Sequence, residues 1–208
     1  MPNTATSLFE PRKSPTQARS TLSVEAILDA TIQVLLAIGS ERLTTTRVAS
    51  RAGVSVGTLY QYFPNKSALL QAALSRHLFH VADTIESTCA QQHGQSLAAM
   101  ASSLITAFFA AKMQNIRTSI ALYQVSASLD ASRIVRQTAG RSNKAIAVML
   151  ATAAEPIPDP ELAATMIQGA MAGISRRILE SPAPEKHFPA IRQETITLLT
   201  AYLQAISA

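Results

Sequence analysis

The residues best suited to chemistry lie between Thr44 and Lys66, in the run TTTRVASRAGVSVGTLYQYFPNK. Thr58 and Gln61 carry side chains that hydrogen-bond base edges, and glutamine pairs well with adenine. Val56 suits a thymine methyl, and Gly57 lets the backbone approach closely. Ser55, as a helix N-cap, leaves backbone N–H groups facing outward for a phosphate oxygen. Tyr60 and Tyr62 each join an apolar ring to a hydroxyl suited to phosphate, and one of the two also suits the core. Thr45, Thr46 and Arg47 stand at the start of the preceding helix, placed for phosphate or a groove edge, and Lys66 is a further phosphate ligand.

These side chains need two short helices to aim them. The first spans about Thr45 to Ala52, capped by Thr44 or Thr45, and it breaks at Gly53, where a positive φ makes glycine the low-cost residue. Ser55 caps the second, from Val56 to Tyr62. Pro64 stops Phe63 from continuing it, and Asn65 caps a long helix beginning at Lys66. Val48, Ala49 and Leu59 sit where the two short helices must touch. The unit is a helix-turn-helix, whose second helix enters the major groove while the first crosses the backbone. An earlier helix, from about Val24 to Ala37, places Ile27, Leu28, Thr31, Val34, Leu35 and Ile38 on one face, with Ser23 as its cap and Gly39 as its end.

Charge agrees with that reading. From Arg42 to Lys66 there are four basic residues and no acid. Residues 1–66 hold seven basic against four acidic side chains, whereas residues 67–208 hold eleven against nine. Positive charge is therefore densest in the first third, as a polyanion-facing segment requires. Hydrophobic residues make up 48% of the 208-residue chain, enough for a sizeable core and against wholesale disorder. No apolar run reaches the length of a membrane span, and the N-terminus lacks a signal-peptide core, so a soluble cytoplasmic protein is expected. The single cysteine, Cys89, rules out an internal disulfide and any multi-cysteine metal site.

The stretch TTTRVASRAGVSVGTLYQYFPNKSALL, preceded by SVEAILDATIQVLLAIGSERL, resembles the N-terminal DNA-binding domain of the TetR family of transcriptional regulators. The resemblance covers residues 23–74. It implies a dimeric regulator, a repressor in most members, that releases a palindromic operator when a small molecule binds. Carried over by position, the DNA contacts fall on Thr45, Thr46, Arg47, Ser55, Val56, Gly57, Thr58, Tyr60, Gln61, Tyr62 and Lys66. An activator or architectural factor without an effector is the alternative.

The rest of the sequence keeps helical periodicity, with helices expected at about 66–91, 96–113, 116–128, 131–154, 159–180 and 188–206. The fold class is all-α: a three-helix DNA-binding head and a helical bundle, about nine helices in all. Three regions follow: a mobile arm at 1–22, the head at 23–68, and an effector-binding and dimerisation domain at 69–208. Arg12, Lys13 and Arg19 of the arm suit an adjacent minor groove. Met100, Leu104, Phe108, Met113, Tyr123, Met149 and Met166, with Phe109 and Ile120, are the candidates for an effector pocket suited to an apolar or aromatic ligand. Gln124, Asn143, Arg117 and Gln168 are its candidate polar contacts. Two further helices offer a dimer interface: Leu162, Thr165, Met166, Gly169, Ala170, Gly173 and Ile174 form a small-residue face, and Ile191, Ile196, Leu198, Leu199 and Leu203 add apolar bulk. His77 with His80, and Glu86 with Cys89 and His93, share helix faces, but no dense ligand set completes either group. No metal or cofactor is expected, and no catalytic constellation points to an enzyme.

Overall fold

A computed structural model describes residues 18–126, 129 and 131–207, with side chains from residue 21 onward. Among the described residues there are nine helices: α1 (Ala18–Arg42), α2 (Thr45–Ala52), α3 (Val56–Tyr62), α4 (Lys66–Gln91), α5 (Leu97–Met113), α6 (Ile116–Ser126), α7 (Ser132–Leu150), α8 (Pro160–Leu179) and α9 (Pro184–Ile206). The fold is all-α, as the periodicity predicts. Two compact units divide it, the first running to Arg76 with Ile120–Ala131, the second His77–Ser119 with Ser132–Ala208. This division falls inside α4 and α6, and a middle segment returns to the first unit.

In the first unit α1 packs on α2, and α2 on α3. Ile27, Val48, Leu59, Phe63 and Leu69 are almost fully buried there. Burying each such side chain stabilises the unit by about 1.5–3 kcal/mol. Thr31 is buried with them, and its hydroxyl donates to the Ile27 carbonyl at 2.7 Å. Arg76 on α4 reaches back to α1, donating to Glu25 at 2.6 Å and Asp29 at 2.7 Å.

Helix α1 departs from expectation at its start and meets it at Gly39. It already begins at Ala18, so Ser23 lies inside it and residues 18–22 belong to a helix rather than an arm. Its backbone breaks at Gly39, with φ 75° and ψ 169°, before helical structure resumes to Arg42. Within Thr21–Arg42 the mean hydropathy reaches 1.7, long and apolar enough by length and composition to cross a membrane. That corrects the expectation drawn from uninterrupted apolar runs, in which scattered polar residues hide the average. The buried positions Ile27, Leu28, Thr31, Val34 and Leu35 mark this helix as the core of the first unit. Arg12 and Lys13 lie outside the described residues, as does the Arg19 side chain.

In the second unit α5 packs on α9 and α7, and α8 packs on both α7 and α9. Phe109 anchors that core, with its ring centroid 5.1 Å from Phe108 and 5.6 Å from Phe188. Helix α7 ends at Leu150, earlier than predicted, and the chain after it is held by side chains. Glu155 accepts from the Leu97 N–H at 2.9 Å and Thr152 from the Gly94 N–H at 3.1 Å, which satisfies donors at the entrance to α5. Helix α9 starts earlier, because Pro184 occupies a first-turn position, where a missing N–H costs nothing.

Candidate nucleic-acid interface

The N-cap of each short helix is made by a side chain. Thr44 Oγ1 accepts from the Arg47 N–H at 3.3 Å, and Gly53, at φ 68° and ψ 27°, closes α2 in the left-handed region. Ser55 Oγ accepts from the Thr58 N–H at 3.0 Å, and Asn65 Oδ1 accepts from the Ala68 N–H at 2.8 Å to begin α4. Such caps contribute about 1 kcal/mol apiece. They fix where α3 starts, and so which of its residues face outward.

Val48 and Ala49 of α2 and Leu59 of α3 are buried, which turns the rest of both helices outward. Thr46, Arg47, Ser55, Gly57, Tyr60 and Gln61 are exposed, while Thr45, Val56, Thr58, Tyr62 and Lys66 are half-buried. Of the two tyrosines, Tyr60 is the outward one, at 43% exposure. Its hydroxyl lies 3.0 Å from Thr45 Oγ1, joining α3 to the first turn of α2. Ser55 and Thr58 share a second hydroxyl pair at 2.8 Å. Together these make a polar surface of hydroxyls, an amide and cations, with several groups held in place by hydrogen bonds. Such a surface can donate to phosphate oxygens and reach base edges. Arg51, one helical turn beyond Arg47, is likewise exposed, and its Nε donates to Gln33 Oε1 at 2.6 Å.

Most of the pocket candidates share the core of the second unit. Met100, Leu104, Phe108 and Met149 are buried in the second unit's core, and Met113 is half-buried against it. Phe109 belongs to that core as well, whereas Ile120 and Tyr123 fall in the segment assigned to the first unit. Met166 is 54% exposed, because α8 buries the stripe Ala163, Ala164, Ile167 and Met171 and turns its neighbour outward. Among the polar candidates, Gln168 donates to the Ala139 carbonyl at 2.6 Å, and the buried Asn143 Oδ1 has no hydrogen-bond partner among the described residues.

Three of the groups weighed for metal or redox chemistry have a defined environment. Glu86 is engaged by Arg141. Cys89 is buried, and burial, with Glu86 nearby, pushes its thiol up to about 12. His77 is pushed down to about 4 by burial, then by the charges of Lys112 and His80.

Comparison with known proteins agrees with this geometry. The family model described as "Bacterial regulatory proteins, tetR family" matches residues 27–73. That described as "Tetracyclin repressor-like, C-terminal domain" matches residues 96–203, just over half of the chain. The HTH-type transcriptional repressor KstR of Mycolicibacterium smegmatis is 52% identical over 50 residues, 24% of this chain and 24% of that protein. An uncharacterized HTH-type transcriptional regulator of Bacillus subtilis, YvkB, is 39% identical over 62 residues, 30% of this chain and 33% of that one. Each match thus spans only a quarter to a third of the relative. A TetR-family structure from Mesorhizobium loti superposes with a TM-score of 0.78 at 17% identity, covering 92% of this chain and 100% of that one. The SmeT–triclosan complex superposes at 0.66 and 20% identity, covering 86% of this chain and 90% of that one. At such identities the structural likeness speaks for the fold, and the family assignment rests on the sequence. With both halves of the chain matched, this protein belongs to the TetR family of transcriptional regulators, which are DNA-binding proteins and not enzymes.

Proposed function

We propose that the protein is a cytoplasmic, homodimeric repressor that binds a palindromic operator and releases it when a small apolar or aromatic molecule binds the second unit. The observation that carries the DNA half is the capped pair α2 and α3, with Tyr60 bonded to Thr45 across them. Thr45, Thr46, Arg47, Tyr60, Tyr62 and Lys66 hold phosphates in this reading, and Val56, Gly57, Thr58 and Gln61 meet bases. The Ser55 cap presents the first N–H groups of α3.

The outer face of α8 supports the dimer. Leu162 is 57% exposed, and Thr165, Met166, Gly169 and Gly173 follow it at helical spacing. Leu198, 55% exposed, is the matching apolar residue of α9, whereas Leu199 and Leu203 are spent in the core. Exposed apolar side chains flanked by small residues suit close helix packing across a two-fold axis. A structural neighbour captured with triclosan supports a small-molecule effector. Helix α4 has residues in both units, and its tilting on effector binding is the proposed route of release. Operator and effector must then weaken each other's binding by the same factor.

Selection from random duplex DNA across a salt series tests this reading. One enriched palindrome with steep salt dependence is expected. Salt-sensitive binding with no preferred sequence overturns it.

A further inference from the structure

Between α2 and the end of α1 runs an open groove of about 830 Å³. Its floor is apolar, formed by Val34, Ala37 and Ile38. Arg42, Arg47 and Arg51 rim it, with Thr46 and Ser50 between them. No acid lines the groove, and among the described residues none of the three arginines pairs with a carboxylate. Two are held by neutral acceptors instead. Arg47 Nη1 donates to the Arg42 carbonyl at 2.9 Å, and Arg51 Nε donates to Gln33 Oε1 at 2.6 Å. These bonds restrict the guanidinium groups without cancelling their charge, so the groove presents three cations to whatever enters it.

Two features decide what that is. Thr46 and Arg47 belong both to the groove and to the face proposed to meet DNA, so the two surfaces are continuous. A nucleic-acid strand alternates anionic phosphates with the apolar faces of its sugars, and a groove with a cationic rim over an apolar floor complements both. We infer that this groove carries a stretch of the DNA sugar–phosphate backbone beyond the bases that α3 reads, making Arg42 and Arg51 DNA-positioning residues. This rests on the DNA-binding reading above. Phosphate ligands of this kind set register and affinity, and they carry no sequence information of their own.

The test uses the full-length protein, its selected operator, and fluorescence anisotropy at salt concentrations from about 50 to 200 mM. Removing one phosphate-neutralising cation makes the slope of log K against log salt shallower by about 0.9. The double variant Arg42→Gln/Arg51→Gln is expected to bring that slope down by about 1.8 and to select the same sequence. A second variant, Gln33→Glu, puts a carboxylate where Arg51 already donates. It neutralises that arginine in place, so the slope drops by about 0.9 while the melting temperature holds or rises. Wild-type slopes in both variants overturn the inference, and so does a changed sequence preference, which would make these arginines base readers. A wild-type protein with no salt-dependent DNA binding fails in a different way, bringing down the DNA-binding reading and this inference together.

Discussion

Arg141 and Glu86 form a two-pronged ion pair, with Nε 2.8 Å from Oε1 and Nη2 2.6 Å from Oε2. Asp83 joins it at 2.7 Å, and the guanidinium carbon lies 5.7 Å from the centre of the Phe79 ring. Hydrogen bonds donated to Glu86, then to Asp83, raise the arginine pKa further, so the group stays charged at any working pH. The pair ties α7 to α4 within the second unit. Arg141→Ala is expected to cost about 1 kcal/mol and to lower Tm by about 2–4 °C in a calorimetric scan. Arg141→Lys should recover little, because an ammonium cannot make the planar two-pronged contact.

Gly57→Ala should move stability and binding in opposite directions. A Cβ built at Gly57 meets only Ser55 Oγ, at 3.7 Å, so the protein itself has room for it. Alanine favours the helix by about 0.5–1 kcal/mol over glycine. In the proposed reading operator affinity should nevertheless fall about tenfold, since the added methyl then stands between the α3 backbone and a base edge. Melting and operator titrations on the same preparation check both signs.

Tyr60→Phe removes one hydroxyl and leaves the ring. Because that hydroxyl is exposed and bonded only to Thr45 among the described residues, Tm should change by less than about 2 °C. Operator binding should weaken several-fold. An unchanged Kd would assign the Thr45–Tyr60 bond to the fold alone.

Stability should fall on acidification through His77. In the folded protein its pKa lies at about 4 rather than 6.5, first because of burial and then because of Lys112 and His80. Between those values the unfolded chain takes up a proton that the folded one refuses. Stability is therefore complete above pH 6.5 and declines as pH drops toward 4, by about 3 kcal/mol from this group. Denaturant titrations of wild type and His77→Gln across that window should diverge by this amount, the variant being the flatter.

Cys89 is expected to resist thiol reagents in the folded state. It is 1% exposed and its pKa is raised to about 12, so thiolate is scarce at neutral pH. A colorimetric thiol assay should read near zero for native protein and one equivalent after unfolding.

The pair of short helices α2 and α3 is the most legible part of this fold in sequence because its signals are local. Thr44, Ser55 and Asn65 are capping residues, and Gly53 is the stop that a left-handed turn requires. All four act within a few residues of where they stand. Helix α9 reads too short in sequence because SPAPEK looks like a break, although proline at a first helical turn begins a helix as readily as it ends one. Ser23 misleads for a related reason: a residue of capping type inside a strong helical run does not mark where the helix begins. Met166 shows a further limit. On α8 apolar and small residues surround the whole helix, so composition leaves the buried stripe undecided until the packing partners are in place. Tyr123 shows the same at a larger scale, since no local pattern reveals that residues 120–131 return to the first unit.

Gly39 and Gly53 differ in a way that governs how this sequence can vary. Both have a positive φ, and a Cβ at either would touch nothing within 4 Å. Gly53, with ψ 27°, lies in the left-handed basin that asparagine and aspartate enter at modest cost. Gly39, with ψ 169°, lies in a region open almost exclusively to glycine. In a saturation library screened for folded protein, position 53 should keep asparagine among its survivors. Position 39 should return glycine alone, an invariant site with no neighbour to explain it.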